Sequence, residues 1–239
     1  MKLLVFAFLI SILLFACSPV VSDFPTLRIA ISPATQPVSE AVAACAYPAE
    51  ENELSIEMRS PDTIGTDDYD LLITLGEPNA DAGFAAQLAW EEIVLIVNHS
   101  NNATVSRETA SALFTGKISN WVEIGGPDSS VRLWVGPESD EALNLFETEV
   151  IHGKVTGNAR IAASPQIALE KAATDLAAIS MLPAAWADET VRNIDIDLLV
   201  PVVAISAEEP SGAIREILAC LQGPVGQEAL AERYLPFQQ

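Results

Sequence analysis

The chain reads as an α/β protein with mainly parallel strands, on three observations. Half of its 239 residues are hydrophobic, enough for a sizeable core. Short β-type runs alternate with amphipathic stretches of helical period. Glycines, prolines and capping residues punctuate that alternation, and no internal repeat interrupts it.

Taken in order, TLRIAIS (26–32) reads as a strand and PVSEAVAACAY (37–47) as a helix, with Pro37 suited to its first turn. ELSIEM (53–58), DLLITLG (70–76) and EEIVLIVN (91–98) read as strands. Ser106 caps a helix running to Phe114, with Glu108 in its first turn and Gly116 where a left-handed residue ends it. Asn120 then caps a short WVEI turn that Gly125 and Gly126 close. This corner buries Leu113, Phe114, Ile118 and Trp121. There follow a strand VRLWV (131–135), a helix from about Asp140 to Ile151, a strand RIAAS (160–164) and a helix opened by Ser164-Pro165. LAAIS (176–180) and LLVPVVAIS (198–206) are strands, and helices at about 211–222 and 225–233 are parted by Gly223-Pro224.

The N-terminus, MKLLVFAFLISILLFAC, carries Lys2 and an apolar run of about 14 residues, too short to span a bilayer as a helix. Residues 1–17 therefore read as an export signal. Leu14-Phe15-Ala16-Cys17 resembles the bacterial lipobox, which makes Cys17 the lipidated first residue of the mature protein and residues 18–25 a short tether. The anchor lies in the cell membrane or, as Ser18 allows, the outer membrane. An ordinary secretory signal that discards Cys17 is the alternative.

Loss of Lys2 leaves 11 basic against 33 acidic residues. Such a field repels nucleic acid and anionic lipid headgroups, so neither is an expected partner. The acids are scattered, and no calcium-loop pattern or other metal motif appears. Two cysteines remain after export, Cys45 and Cys220, each late in an expected helix. They are either a disulfide or two buried thiols.

The run EEIVLIVNHSNNATVSRETASALFTGKISNWVEIGG resembles the phosphate-type substrate-binding proteins of ABC importers. In these, a strand of this kind precedes a helix and a Phe-x-Gly-Lys-Ile-x-Asn-Trp corner, here Phe114, Gly116, Lys117, Ile118, Asn120 and Trp121, followed by Gly125 and Gly126. AAISMLPAAW (177–186) and REILACLQGPVGQEALAERYLPF (215–237) are similar to the same family more weakly.

The resemblance implies a two-lobed type II periplasmic-binding-protein fold, with a ligand cleft between lobes joined by two crossing strands. Lobe 1 would span 26–94 plus 202–239 and lobe 2 95–201, the crossings lying in EEIVLIVN and LLVPVVAIS. It would put Cys45 and Cys220 in one lobe, which supports their pairing. It also implies a monomeric, cofactor-free solute-binding lipoprotein that hands its ligand to an ABC permease.

In such folds ligands sit beyond the carboxyl ends of strands, where loops enter helices. Three loops qualify: one carrying Ser32, Thr35 and Gln36, one carrying Gly76, Glu77 and Asn79, and one carrying Ser139 and Asp140. The third, VGPESDEALNLF, departs from the family's arginine and Gly-Ser-Gly-Thr stretch, keeping only Ser139 and Phe146. The ligand expected is thus a small polar or anionic solute, with Glu77, Glu138 and Asp140 disfavouring phosphate and suiting a cationic or neutral group. A ligandless sensory or interaction module is the alternative. Catalysis has little to draw on, since only His99 and His152 are neutral-pH bases and no nucleophile motif occurs.

Overall fold

The computed structural model describes residues 26–46, 53–65, 68–78 and 82–237. The export signal, Cys17, the tether and Asn79 lie outside the described residues.

Among the described residues there are ten strands: β1 Thr26–Ile31, β2 Glu53–Met58, β3 Leu71–Leu75, β4 Phe84–Val97, β5 Arg132–Val135, β6 Arg160–Ile161, β7 Ala178–Pro183, β8 Arg192–Ile194, β9 Leu199–Ser206 and β10 Leu235–Pro236. The helices are α1 Ser39–Ala46, α2 Arg107–Phe114, α3 Glu141–Phe146, α4 Pro165–Thr174, α5 Gly212–Gln222 and α6 Pro224–Leu230. A π-helical turn, Glu147–Ile151, continues α3.

The strands lie in the order β2-β1-β3-β9-β4-β7-β5-β6, with β8 and β10 also paired to β4. β1 runs parallel to β2 and β3, and β5 parallel to β6 and β7. Every pairing of β4 and β9 is antiparallel. The expectation of a mainly parallel sheet is therefore corrected to a mixed one. The two long strands return through the middle instead of winding outward with the rest.

β4 organises the molecule. Its residues Phe84 to Glu92 pair with β9, whereas Ile93 to Val97 pair with β7 and β8. One strand thus belongs to two sheets. The chain returns between β8 and β9, where Ile93 N–H donates to Leu198 O at 2.9 Å. β3 is buried along its whole length, as a strand covered on both faces must be. Below it, α1 packs against α5 and α6 and is tied to α5 by the Cys45–Cys220 disulfide, with a Cα separation of 5.5 Å.

Local signals place the helices well. Ser106 accepts from Thr109 N–H, Ser164 from Ile167 N–H and Asp140 from Leu143 N–H. The corner forms as expected: Asn120 and Glu123 make a capping box, and Gly116 and Gly125 are left-handed, with φ of 76° and 80°. Leu113, Phe114 and Trp121 are fully buried there, and the Trp121 indole N–H donates to Ala177 O at 2.9 Å.

Strand boundaries depart from the sequence reading. β4 begins at Phe84, seven residues before EEIVLIVN, because FAAQLAW is held by pairing with β9 and not by its own β propensity. β6 is cut to Arg160–Ile161, since the chain leaves the sheet to reach the Ser164 cap. β7 starts at Ala178 and runs to Pro183, and β8 and β10 are short strands that no local pattern announces.

Candidate functional site

A cleft of about 140 Å³ opens between the two halves of the sheet. From the β1 side come Pro33, Ala34 and Gln36, with Met58 at the end of β2 and Ser60 beyond it. From the other side come Ser139, Asp140 and Glu141 at the start of α3, Ser164 and Gln166 at the start of α4, and Trp186 after β7. None of its lining residues is basic. A larger recess of about 250 Å³ beside Gly116 and Arg132 is lined by one half only.

The candidate residues divide among three places. Gln36, Ser139 and Asp140 line the cleft. Ser32 and Thr35 are brought to its edge but are fully buried, and their hydroxyls are engaged with each other at 3.0 Å. The Thr35 hydroxyl donates to Ile73 O at 3.0 Å, and its N–H reaches Ser32 O at 3.1 Å. These two residues shape the loop floor. Gly76 and Glu77 do not line the cleft: Gly76, with a φ of 88°, packs beneath Leu145 and donates its N–H to Pro201 O, and Glu77 is exposed.

Local chemistry explains how Asp140 is held. Its carboxylate caps α3 through Leu143 N–H at 3.2 Å and folds back over Gly136, where a Cβ would lie 1.8 Å from Oδ2. Glycine is therefore required at position 136. Removal from water pushes the Asp140 carboxyl above its ordinary range, against the pull of the helix N–H groups.

Two contributors escaped the sequence reading. Glu141 reaches across the cleft, where its Oε1 accepts from the Thr74 hydroxyl and from Leu75 N–H at 3.0 Å, both at the end of β3. Burial raises the Glu141 pKa, while Ser32, Thr74 and the Leu75 N–H pull it down. Its second oxygen, Oε2, is out of solvent with no hydrogen-bond partner. Trp186 also crosses, its indole N–H donating to Ala34 O at 3.0 Å. A readable signal existed for Glu141: two acids stand together at the start of α3, and only one can cap it.

Near the crossing lies another buried acid. Glu91, 1% exposed, takes Glu92 N–H at 3.0 Å and Ala185 N–H at 3.3 Å on Oε1, and its Oε2 has no partner. Desolvation lifts its pKa to about 8. The Tyr234 hydroxyl beside it donates to Thr35 O at 3.3 Å. Neither histidine enters the cleft: His99 meets Glu189 O at 2.7 Å, and His152 meets Thr148 O at 2.8 Å. Among the described residues no group of three His, Cys, Asp or Glu side chains could hold a metal ion, and no helix is long and apolar enough to cross a membrane.

Comparison with known proteins gives a consistent outcome. Residues 66–209 match a family model described as a PBP superfamily domain. No curated protein matches. Among solved structures, a protein assigned as a phosphate ABC transporter substrate-binding protein from Clostridium perfringens, with phosphate bound, superposes with a TM-score of 0.81. It is 16% identical, over 90% of this chain and 100% of that one. An ABC-type phosphate transport receptor from Vibrio cholerae has a TM-score of 0.69 at 17% identity, over 87% and 99% of the two chains. The reduced form of OxyR from Neisseria meningitidis has a TM-score of 0.64 at 14% identity, over 89% and 99%. At these identities the likeness shows a shared fold.

Proposed function

As the chain belongs to the PBP superfamily, we propose that it is an extracytoplasmic solute-binding protein of an ABC importer, tethered by a lipid on Cys17. Lobe 1 is 26–94 plus 202–239 and lobe 2 is 95–201, a division supported by the change of partners along β4 between Glu92 and Ile93. The solute is small and polar and presents hydrogen-bond donors: a neutral polyhydroxy compound or one bearing an ammonium group. Gln36, Ser139 and Asp140 contact it, and closure around it is what a permease recognises.

The observation that carries this reading is the cleft's charge. The phosphate-bound relative and the phosphate receptor are named for an oxyanion, yet the cleft here has Asp140 and Glu141 in its wall and no basic side chain. A guanidinium, that of Arg233, lies in an adjoining recess that shares Gln36, Gln166 and Trp186. An added dianion beside two carboxylates would be repelled in a partly desolvated site, a cost of several kcal/mol that backbone amides offset only partly. A donor-bearing solute meets instead the carboxyls of Asp140 and Glu141 in the cleft wall.

Thermal melting of the purified protein against sugars, polyols, amino acids, linear amines, phosphate, sulfate, molybdate and tungstate tests this. A donor-bearing solute should raise the melting temperature and phosphate should not. A response confined to the oxyanions would overturn the choice of solute. A second reading, a ligandless sensory or interaction module, is favoured by the bonds of Trp186 and Glu141, which join the two sides of the cleft directly. Absence of any response, with no small molecule in native mass spectra, would establish it.

A further inference from the structure

Glu141 is placed as a ligand would be. It belongs to α3, on the second half of the sheet, yet its carboxylate is bonded by the end of β3, on the first. Two donors converge on one oxygen, the Thr74 hydroxyl and the Leu75 N–H, and the Ser32 hydroxyl favours its charge. A hydroxyl and a main-chain N–H at a strand end are what binds a free carboxylate or other oxyanion. In the neighbouring loop Thr35 already spends its N–H and hydroxyl on Ser32 and Ile73. The Thr74 hydroxyl and the Leu75 N–H are met by Glu141.

From this we infer that the first half carries an anion cradle, the Thr74 hydroxyl and the Leu75 N–H, and that Glu141 is its resident, covalently attached ligand. The carboxylate does from within what a bound anion would do from without. It neutralises the cradle's donors and holds the halves together, with the Trp186–Ala34 bond as a second tie. A free oxyanion is therefore excluded by occupancy as well as by charge. The inference rests on the cleft being the solute site, but it makes a separate statement about what already sits there.

Its test removes the resident. Glu141→Ala leaves the donors of Thr74 and Leu75 vacant, and sodium formate supplies a free carboxylate of the same chemistry. X-ray scattering and melting should show the wild type closed and indifferent to formate. Glu141→Ala should show a larger radius of gyration and a lower melting temperature, both reversed by millimolar formate, and phosphate should bind it at least tenfold more tightly than the wild type. Thr74→Val provides a second route should Glu141→Ala not fold: it should enlarge the radius of gyration by itself. In the double variant it should abolish the formate response. A Glu141→Ala protein as compact as the wild type and unresponsive to formate, or a Thr74→Val protein of unchanged compactness, overturns the inference. The wild-type solute screen decides the proposed function independently, since the formate response is read whatever that screen returns.

Discussion

Glu91 is the residue whose environment is most at odds with its chemistry. A carboxyl with an ordinary pKa of 4.5 is raised to about 8 by burial, and the N–H groups of Glu92, Ala184 and Ala185 recover only part of the loss. Tyr234 and Glu92 beside it offer no positive charge. A carboxyl raised on folding stabilises the protein fully below its unfolded value, and that contribution is lost as pH rises toward the folded value. Wild-type stability should therefore fall from about pH 4.5 to about 8 and level off above. Glu91→Gln should flatten that slope and melt above the wild type at pH 8, the comparison cancelling the general repulsion of an acidic chain. Parallel slopes for the two proteins would show that Glu91 does not carry the effect. Gly136 is the second such residue. Gly136→Ala would press a methyl into the Asp140 carboxylate, costing about 1–3 kcal/mol by denaturant unfolding and displacing an acid from the cleft wall.

The corner at 113–126 shows why some elements declare themselves. Asn120 Oδ1 accepts from Val122 N–H at 3.0 Å and Ser129 N–H at 3.1 Å, while Glu123 returns to Asn120 N–H at 2.9 Å. Asn120→Ala strips the two bonds to Oδ1 at once and should cost about 1–2 kcal/mol in chemical denaturation. Because such bonds join residues within a few positions, Ser106, Asn120, Asp140 and Ser164 could be recognised as caps in the bare sequence. The first half of β4 could not. Its alanines and Gln87 carry no strand signal, and their partners in β9 lie more than a hundred residues away, with a register shift between Gln87 and Ala89. The same distance hid Glu141: position 141 names a helix start, but its partners Thr74 and Leu75 come from a strand 66 or 67 residues earlier. Gly76 and Glu77 were misplaced for the complementary reason. A loop at a strand's carboxyl end is a fair guess for a site, yet Leu145 covers this one.

Two crossings leave the molecule free to hinge, so what fixes each half internally matters more than any single bond between them. In the first half the chain's beginning and end are far apart in sequence, and α1 and α5 are joined by a disulfide closing a separation of 175 residues. A loop of that length limits the unfolded chain by on the order of 5 kcal/mol in the chain-entropy picture, of which native proteins commonly realise 2–4. The bond lies against the α1, α5 and α6 layer and not among the cleft's lining residues. Stability and recognition should thus separate. Reducing Cys45–Cys220, or replacing both with alanine, should lower the melting temperature by about 5–15 °C, at roughly 2–4 °C per kcal/mol for a chain of this size. Below the transition, scattering should report the same radius of gyration as the oxidised protein, because Glu141 and Trp186 still span the cleft. A reduced protein that opens before it melts would mean that the disulfide, and not the cross-cleft bonds, sets the distance between the halves.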